Sequence, residues 1–313
     1  MTGTTGMTAG HGTTRIGGGT GGGAGGGTAL ALDLGTARTR LLLSGSPVIR
    51  ERPSAVGAPA APRHWPVRHG MVADMPGCAR LVSAALSEVA GQEPLERVLL
   101  GVPVAASRLD RRAAYAAVGN AARCPVTIIE EPLAAAVGCG VDIGDPRPRL
   151  LLDAGAGIAE AVVIRGGRIA DAGAVQMGTE DRAHDRAHDR AHDRSHDRAH
   201  NQAEDRARDL PDGPRFPPYV RERIVAMVAD LLARVPAHLR GIARGRGLLI
   251  TGGGARDPEL ARALCAGLRI TVTPAVDPAQ ATVRGLACLL PAVARRAALL
   301  PADETKDLDD DHQ

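Results

Sequence analysis

Residues 30–45 read LALDLGTARTRLLLSG, and residues 149–167 read RLLLDAGAGIAEAVVIRGG. In each, an apolar run ends in an aspartate, Asp33 or Asp153, a glycine follows two positions later, and a second apolar run begins after a short turn. Asp-x-Gly between two apolar runs is a hairpin signal. Taken singly, each copy reads first as a plain hairpin. Two copies, with their aspartates 120 residues apart, read as the same device placed in two similar halves of one chain. Facing each other, such turns clamp a phosphate chain through backbone N–H groups. The two carboxylates would then suit a hydrated Mg²⁺, which takes few protein ligands and keeps several waters.

Around these hairpins, residues 28–179 alternate apolar β-like runs with Ala-rich helical stretches. Strands are expected at ALALDL, TRLLLSG, ERVLLGVP, PVTIIE, RLLLDAG and AEAVVIRGG, and helices at Met75–Ala90, Ser107–Ala122 and Pro132–Cys139. Near-continuous apolar strands between helices predict a buried, largely parallel sheet. Farther on, Tyr219–Arg240 reads as one amphipathic helix, followed by a strand at Gly247–Thr251, a helix, a strand at Arg269–Thr273 and a last helix over Pro278–Arg296.

Two more stretches carry chemistry. In LLITGGGARDPELARAL (248–264) a strand runs through glycines into a helix, where the backbone can approach an anion at a helix N-terminus. The same pattern also fits an ordinary strand-to-helix connection. In VTIIEEPLAAAVGCG (126–140), Glu131 precedes Pro132, which suits a first helical turn. Glu131 is then either a carboxylate favoured by the helix N-terminus or the group that orients a water against a γ-phosphate.

Composition narrows the choices. Apolar residues make up 44% of the 313, yet there are one Phe, one Trp and two Tyr, so the core must be built from Ala, Val and Leu. Base-stacking platforms need aromatics, and a formal charge of +3 is too small for a nucleic-acid footprint; no nucleic-acid partner is expected. Lys306 is the one lysine, which rules out a Walker-type lysine and a Schiff base in the body of the chain. Five cysteines without a CxxC pair fit a reduced, cytoplasmic protein. No apolar run reaches the ~18 residues of a membrane span, and no direct membrane anchor is seen.

The domain reading is as follows: a Gly/Thr tail at 1–27, a first lobe at 28–148, a second at 149–179 and 216–298, a low-complexity insert at 180–215, and an acidic tail at 299–313. The insert repeats RAHD from Arg182 to Asn201. It lacks an apolar face and reads as a solvated segment, with a weak metal-binding or pH-sensitive tract as the alternative.

At this point a resemblance is specific. DLGT (33–36), EPLAAA (131–136), DAGAG (153–157) and TGGGA (251–255), in this order, resemble the actin and heat-shock-chaperone ATPase superfamily. RHWPVRHGMVADMPGC (63–78), the stretch from Gly101 to Gly138, and VDPAQATVRGLACLL (276–290) look like the bacterial MreB family within it. The resemblance implies an α/β, two-lobed, actin-like (ribonuclease H-like) fold, with two βββαβα-type halves around a nucleotide cleft and the outer IB and IIB subdomains reduced. By position it implies a first phosphate loop of Gly35, Thr36, Ala37 and Arg38, and a second running from Asp153 through Gly155, Ala156 and Gly157 to Ile158. Gly178 falls near the ribose, and Gly252, Gly253, Gly254 and Ala255 on the adenosine side. Asp33 and Asp153 would serve Mg²⁺, and Glu131 would be the hydrolytic residue.

The family pattern has a Gly and a pair of Thr where this chain has Ala156, Ile158 and Ala159. The missing hydroxyls imply an ATPase that is slow at most, since losing one pre-organised contact typically costs about a hundredfold in turnover. The expected function is an ATP-binding, actin-like protein of cell shape or morphogenesis, with self-association or cell-shape proteins as partners. A nucleotide-free pseudo-ATPase scaffold is the alternative. A small-molecule kinase of the same superfamily is the third reading, although no catalytic Asp base or substrate insert is seen.

Overall fold

The computed structural model describes residues 28–57, 63–89, 94–179 and 215–299. The Gly/Thr tail, the RAHD repeat and nearly all of the acidic tail lie outside them. In chain order the first half comprises β1 (Thr28–Leu34), β2 (Arg38–Leu43), β3 (Arg50–Pro53), the small hairpin β4 (Val67–Arg68) and β5 (Met71–Val72), α1 (Met75–Ser87), β6 (Leu95–Val102), α2 (Arg108–Ala122), β7 (Val126–Glu130) and α3 (Glu131–Gly138). The second half comprises β8 (Arg149–Ala154), β9 (Ala159–Arg165), β10 (Arg168–Val175), α4 (Pro218–Arg234), α5 (Ala237–Arg246), β11 (Leu248–Thr251), α6 (Pro258–Leu268), β12 (Val272–Pro274) and α7 (Ala281–Leu299).

The halves are copies in topology. One sheet has the order β3-β2-β1-β6-β7 and the other β10-β9-β8-β11-β12. Three strands of each form an antiparallel meander, and the last two join in parallel through helical crossovers. This corrects the expectation of a largely parallel sheet. The antiparallel strands β1, β8 and β9 are buried on two faces here, so they show no regular polar alternation to reveal their direction. Leu30, Ala31 and Leu32 in β1 and Leu150, Leu151 and Leu152 in β8 are fully buried, because helices cover both sides of each sheet.

Local chemistry sets the helix ends. Asp74 caps α1 by accepting from Gly77 N at 3.0 Å. Ser107 and Asp110 form a reciprocal capping box on α2. Helices α2 and α6 both end on an arginine in the left-handed region, Arg123 and Arg269, and each then feeds a parallel edge strand. The single helix expected over Tyr219–Arg240 is two, α4 and α5, separated at Val235–Pro236, since a proline inside a helix removes a hydrogen bond and clashes with the preceding turn.

The outer face of the first sheet packs on α1 and α2, and that of the second on α4, α5 and α6. The inner faces exchange helices. Helix α3 leaves the first sheet but buries Ala136 with Leu151, Val162 and Ile164 of the second. Helix α7 leaves the second sheet but buries Val283, Leu286 and Leu290 with Ala31, Leu42 and Leu99 of the first. The two helices cross at glycines, backbone against backbone. A Cβ on Gly285 would fall 1.7 Å from the Ala134 carbonyl oxygen, and one on Gly138 would fall 2.0 Å from that of Ala281.

Gly285→Ala should therefore destabilise the fold by about 3 kcal/mol or more, because backbone cannot yield as a side chain can. Gly241→Ala, in α5 with nothing within 4 Å of the new methyl, should be neutral or stabilise by up to about 1 kcal/mol. Urea denaturation followed by circular dichroism separates the two, and equal effects would refute the crossing as described.

Candidate functional site

Both glycine turns close in the same way. Gly35 N donates to Arg38 O at 3.2 Å, and Gly155 N donates to Ile158 O at 2.8 Å. The first turn is strapped from behind: the Ser54 hydroxyl donates to the Gly35 carbonyl at 2.6 Å and shares a 2.8 Å hydrogen bond with Thr39. The two turns then meet. A Cβ on Gly157 would lie 2.7 Å from Thr36 Oγ1, so only glycine permits this approach. Gly70 N donates to Thr36 Oγ1 at 2.8 Å, and His69 Nδ1 lies 2.7 Å from the Gly157 carbonyl oxygen. The β4–β5 turn thus ties the two loops together.

Gly178 and Gly252 belong to the same locus. A Cβ on Gly178 would fall 1.9 Å from Ala156 O, and one on Gly252 would fall 2.4 Å from Ala154 O and 2.5 Å from Asp153 Oδ1. Gly252 has φ +79°, which glycine tolerates. Gly253 faces open space. Gly254 and Ala255 serve packing instead: the Phe216 ring would meet a Cβ on Gly254 at 2.4 Å, and Ala255 is buried in the second lobe's core. Phe216 is itself held by its N–H, which donates to Asp257 Oδ2 at 2.9 Å. Ile158 is also buried, against the Gly70 turn. Ala37 and Arg38 complete the first turn, with Arg38 exposed.

Four carboxylates converge behind the turns. Asp33 and Asp153 end equivalent strands and are 6% and 9% exposed. Glu131 opens α3, and its Oε1 is buried without a hydrogen-bond partner. Burial raises Glu131 well above the usual carboxylate range, and the charges of Asp33, Asp153 and Glu160 raise it further. Burial, then Glu160 and Asp33, push Asp153 up to about 7. Asp33 is raised by burial and eased by Arg40. Among the described residues, no three His, Cys, Asp or Glu lie close enough to ligate one metal ion directly. A hollow of about 270 Å³ opens elsewhere, beside the Asp171–Arg234 ion pair, and holds none of the candidate residues.

Sequence reading missed four participants. Arg40 Nη1 lies 3.4 Å from Asp33 Oδ2, and its Nε donates to Glu51 Oε2 at 2.7 Å. Glu160, 2% exposed, accepts from Val104 N at 3.1 Å and Ala105 N at 2.8 Å, binding the second lobe to the first. His69 and Gly70 are the others. A signal existed for Glu160, a lone charge inside the apolar run AEAVVIR.

Comparison with known proteins agrees with this geometry. The family model described as MreB/Mbl protein matches residues 59–186. The cell shape-determining protein MreB of Escherichia coli (strain K12) is 30% identical over 164 residues, covering 43% of this chain and 47% of that protein. The chain thus spans about half the length of the curated MreB relatives it matches. The cell shape-determining protein Mbl of Bacillus subtilis (strain 168) is 23% identical, covering 83% of this chain and 95% of the other. Among solved structures, MreB 5 of Spiroplasma citri bound to AMPPNP superimposes with a TM-score of 0.74 at 20% identity, covering 88% of this chain and 99% of the other. A MamK double helical filament gives 0.67 at 15% identity, covering 88% and 99%. Two topologically equal lobes joined by exchanged helices, with paired glycine turns at their junction, thus share the actin-like fold of the solved MreB 5 and MamK structures, and residues 59–186 are similar to the MreB/Mbl family.

Proposed function

We propose that the chain is a nucleotide-responsive, actin-type protein of bacterial cell shape, which binds ATP between its two glycine turns and hydrolyses it slowly at most. The observation that carries the reading is the meeting of Thr36 and Gly157, one turn from each lobe, in front of Asp33, Asp153 and Glu131. A ligand gripped by both turns favours one arrangement of the lobes, which is how nucleotide can bias an assembly equilibrium. The solved relatives add that MreB 5 of Spiroplasma citri was obtained bound to ADP and to AMPPNP, and MamK as a filament. Self-association and cell-shape proteins are accordingly the proposed partners. Among the described residues no helix is long and apolar enough to cross a membrane. The short 53–65 connection and the 180–215 insert stand where the family's outer subdomains would be, so assembly would rest on the lobes themselves.

Each residue has a proposed task. Gly35, Thr36, Ala37 and Arg38 on one side, and Gly155, Ala156, Gly157 and Ile158 on the other, present backbone to the phosphates; Gly178, Gly252 and Gly253 border the nucleoside. Asp153 fits a hydrated divalent cation, because burial and two neighbouring carboxylates leave its negative charge poorly compensated. Mg²⁺, when bound, would neutralise phosphate charge. Asp33 is the second proposed contact, already beside Arg40. Glu131 would orient the attacking water, but burial and the charges of Asp33, Asp153 and Glu160 favour its neutral form, which is a poor acceptor. Together with the absent hydroxyls at Ala156, Ile158 and Ala159, this keeps hydrolysis slow.

Differential scanning fluorimetry should show stabilisation by Mg-ATP approaching about 2.7 kcal/mol at 100-fold over its dissociation constant, and Asp153→Ala should lose most of it. Absence of any shift at millimolar ATP would favour the nucleotide-free scaffold. Restoring hydroxyls with Ile158→Thr and Ala159→Thr together should raise single-turnover hydrolysis by about 100-fold; an unchanged rate would clear those positions of blame.

A pH dependence follows from Asp153. The folded chain keeps on this group a proton that the unfolded chain releases near pH 3.8, so stability should fall as pH rises from about 4 to about 7 and level off above that. Asp153→Asn should flatten this limb and stabilise the nucleotide-free protein at pH 8 by up to about 4 kcal/mol. A melting profile unaltered by the substitution would show that Asp153 is not strained by charge.

A further inference from the structure

The two glycine turns are held from behind by different means. Behind the first, Ser54 follows the last residue of β3 and is fully buried, as is Thr39. The Ser54 N–H donates to the Ala37 carbonyl at 2.9 Å, and its hydroxyl donates to the Gly35 carbonyl at 2.6 Å. A hydroxyl carries one proton, and that of Ser54 is engaged by Gly35. The 2.8 Å bond between the two side chains is then donated by Thr39. Thr39, Ser54 and the Gly35 carbonyl thus form one directed relay. In the second turn Ala159 stands where Thr39 stands in the first, each paired with the last residue of the preceding strand. Ala159 offers no hydroxyl, and the Gly178 backbone packs on that of Ala156 instead.

A trans peptide sets its C=O and N–H on opposite sides of the chain, and the peptide after Gly35 is trans. With the Gly35 carbonyl drawn back toward β3, the Thr36 N–H faces the other way, out of the front of the turn. The Thr36 hydroxyl is occupied separately, accepting from Gly70 N at 2.8 Å. Resting on the nucleotide reading above, we infer that Ser54 is a positioning residue for phosphate binding, which locks the Gly35–Thr36 peptide so that the Thr36 amide is presented to a phosphate oxygen. Glycine on one side makes that peptide easy to reverse, and a reversed peptide would aim a carbonyl at the anion. A hydroxyl donated to the carbonyl also polarises the amide and strengthens its N–H as a donor. Ser54 acts through Gly35 and touches no ligand itself.

Calorimetric titration of the full chain with Mg-ATP, at a temperature where circular dichroism shows each variant folded, tests this. Ser54→Ala should weaken binding about tenfold at unchanged stoichiometry. Thr39→Val keeps the shape but removes the relay's first donor, and should weaken binding about threefold; Thr39→Ser keeps the donor and should stay within about twofold of wild type. Leu264→Ala, in α6 and in the core of the other lobe, should melt lower yet bind within about twofold of wild type. Ser54→Ala that melts lower and binds like wild type overturns the inference and leaves the nucleotide reading standing. A loss at Leu264→Ala as large as at Ser54→Ala does the same. Should Ser54→Ala fail to fold, Thr39→Val decides, and wild-type affinity in that variant overturns the inference. Wild-type protein that binds no ATP removes the nucleotide reading and this inference with it.

Discussion

The crossing of α3 and α7 is the constraint on which everything else rests. Each helix emerges from one sheet and fills the inner face of the other, so neither lobe has a complete core without the other's helix. Their separation is set by Gly138 and Gly285, where one backbone lies against the other. Small residues at such a crossing bring the sheets close, and that closeness puts the equivalent ends of β1 and β8 at a common junction. A chain with a single phenylalanine and much alanine is suited to this design. Bulky aromatic cores would hold the sheets apart.

Given that placement, the electrostatics follow from geometry. Two strand ends bring Asp33 and Asp153 inward, α3 adds Glu131 at its first residue, and β9 adds Glu160. Water is excluded and like charges crowd together, so burial and mutual repulsion act in the same direction on Glu131 and Asp153. The backbone around them has been stripped of side chains at Gly155, Gly157 and Gly252. Such a locus is costly to keep unless something positive enters it, and Arg40 meets that need on one side.

What could be read from sequence was what is written locally. Asp33-x-Gly35 and Asp153-x-Gly155 give their hairpins away because the turn, the strand and the carboxylate lie within a few residues. Glu131 before Pro132 marks its helix start in the same way. Sheet direction was less legible, since a strand covered on both faces is apolar throughout, whichever way its neighbour runs. The helix exchange left no mark beyond Ala134, Gly138, Ala281 and Gly285, small residues that equally suit any buried helix. Arg40 looked like an ordinary strand charge. Its role emerges once the turn centre between Thr36 and Ala37 fixes the register that sets it against Asp33. His69 depends on a β-turn joining two lobes, a long-range event that no local pattern encodes.

Phe216 carries one more consequence. Its ring fills the space over Gly254 and its amide is fixed by the fully buried Asp257, which also caps α6 through Glu259 N at 2.9 Å. The chain is thereby re-anchored just after residues 180–214, independent of what those residues are. Loop-closure entropy grows by only about 0.6 kcal/mol for each doubling of length. The second lobe is therefore indifferent to the length and composition of what precedes this anchor. A change in the number of RAHD tetrapeptides ahead of Phe216 is one that such an anchor would absorb without altering the described fold.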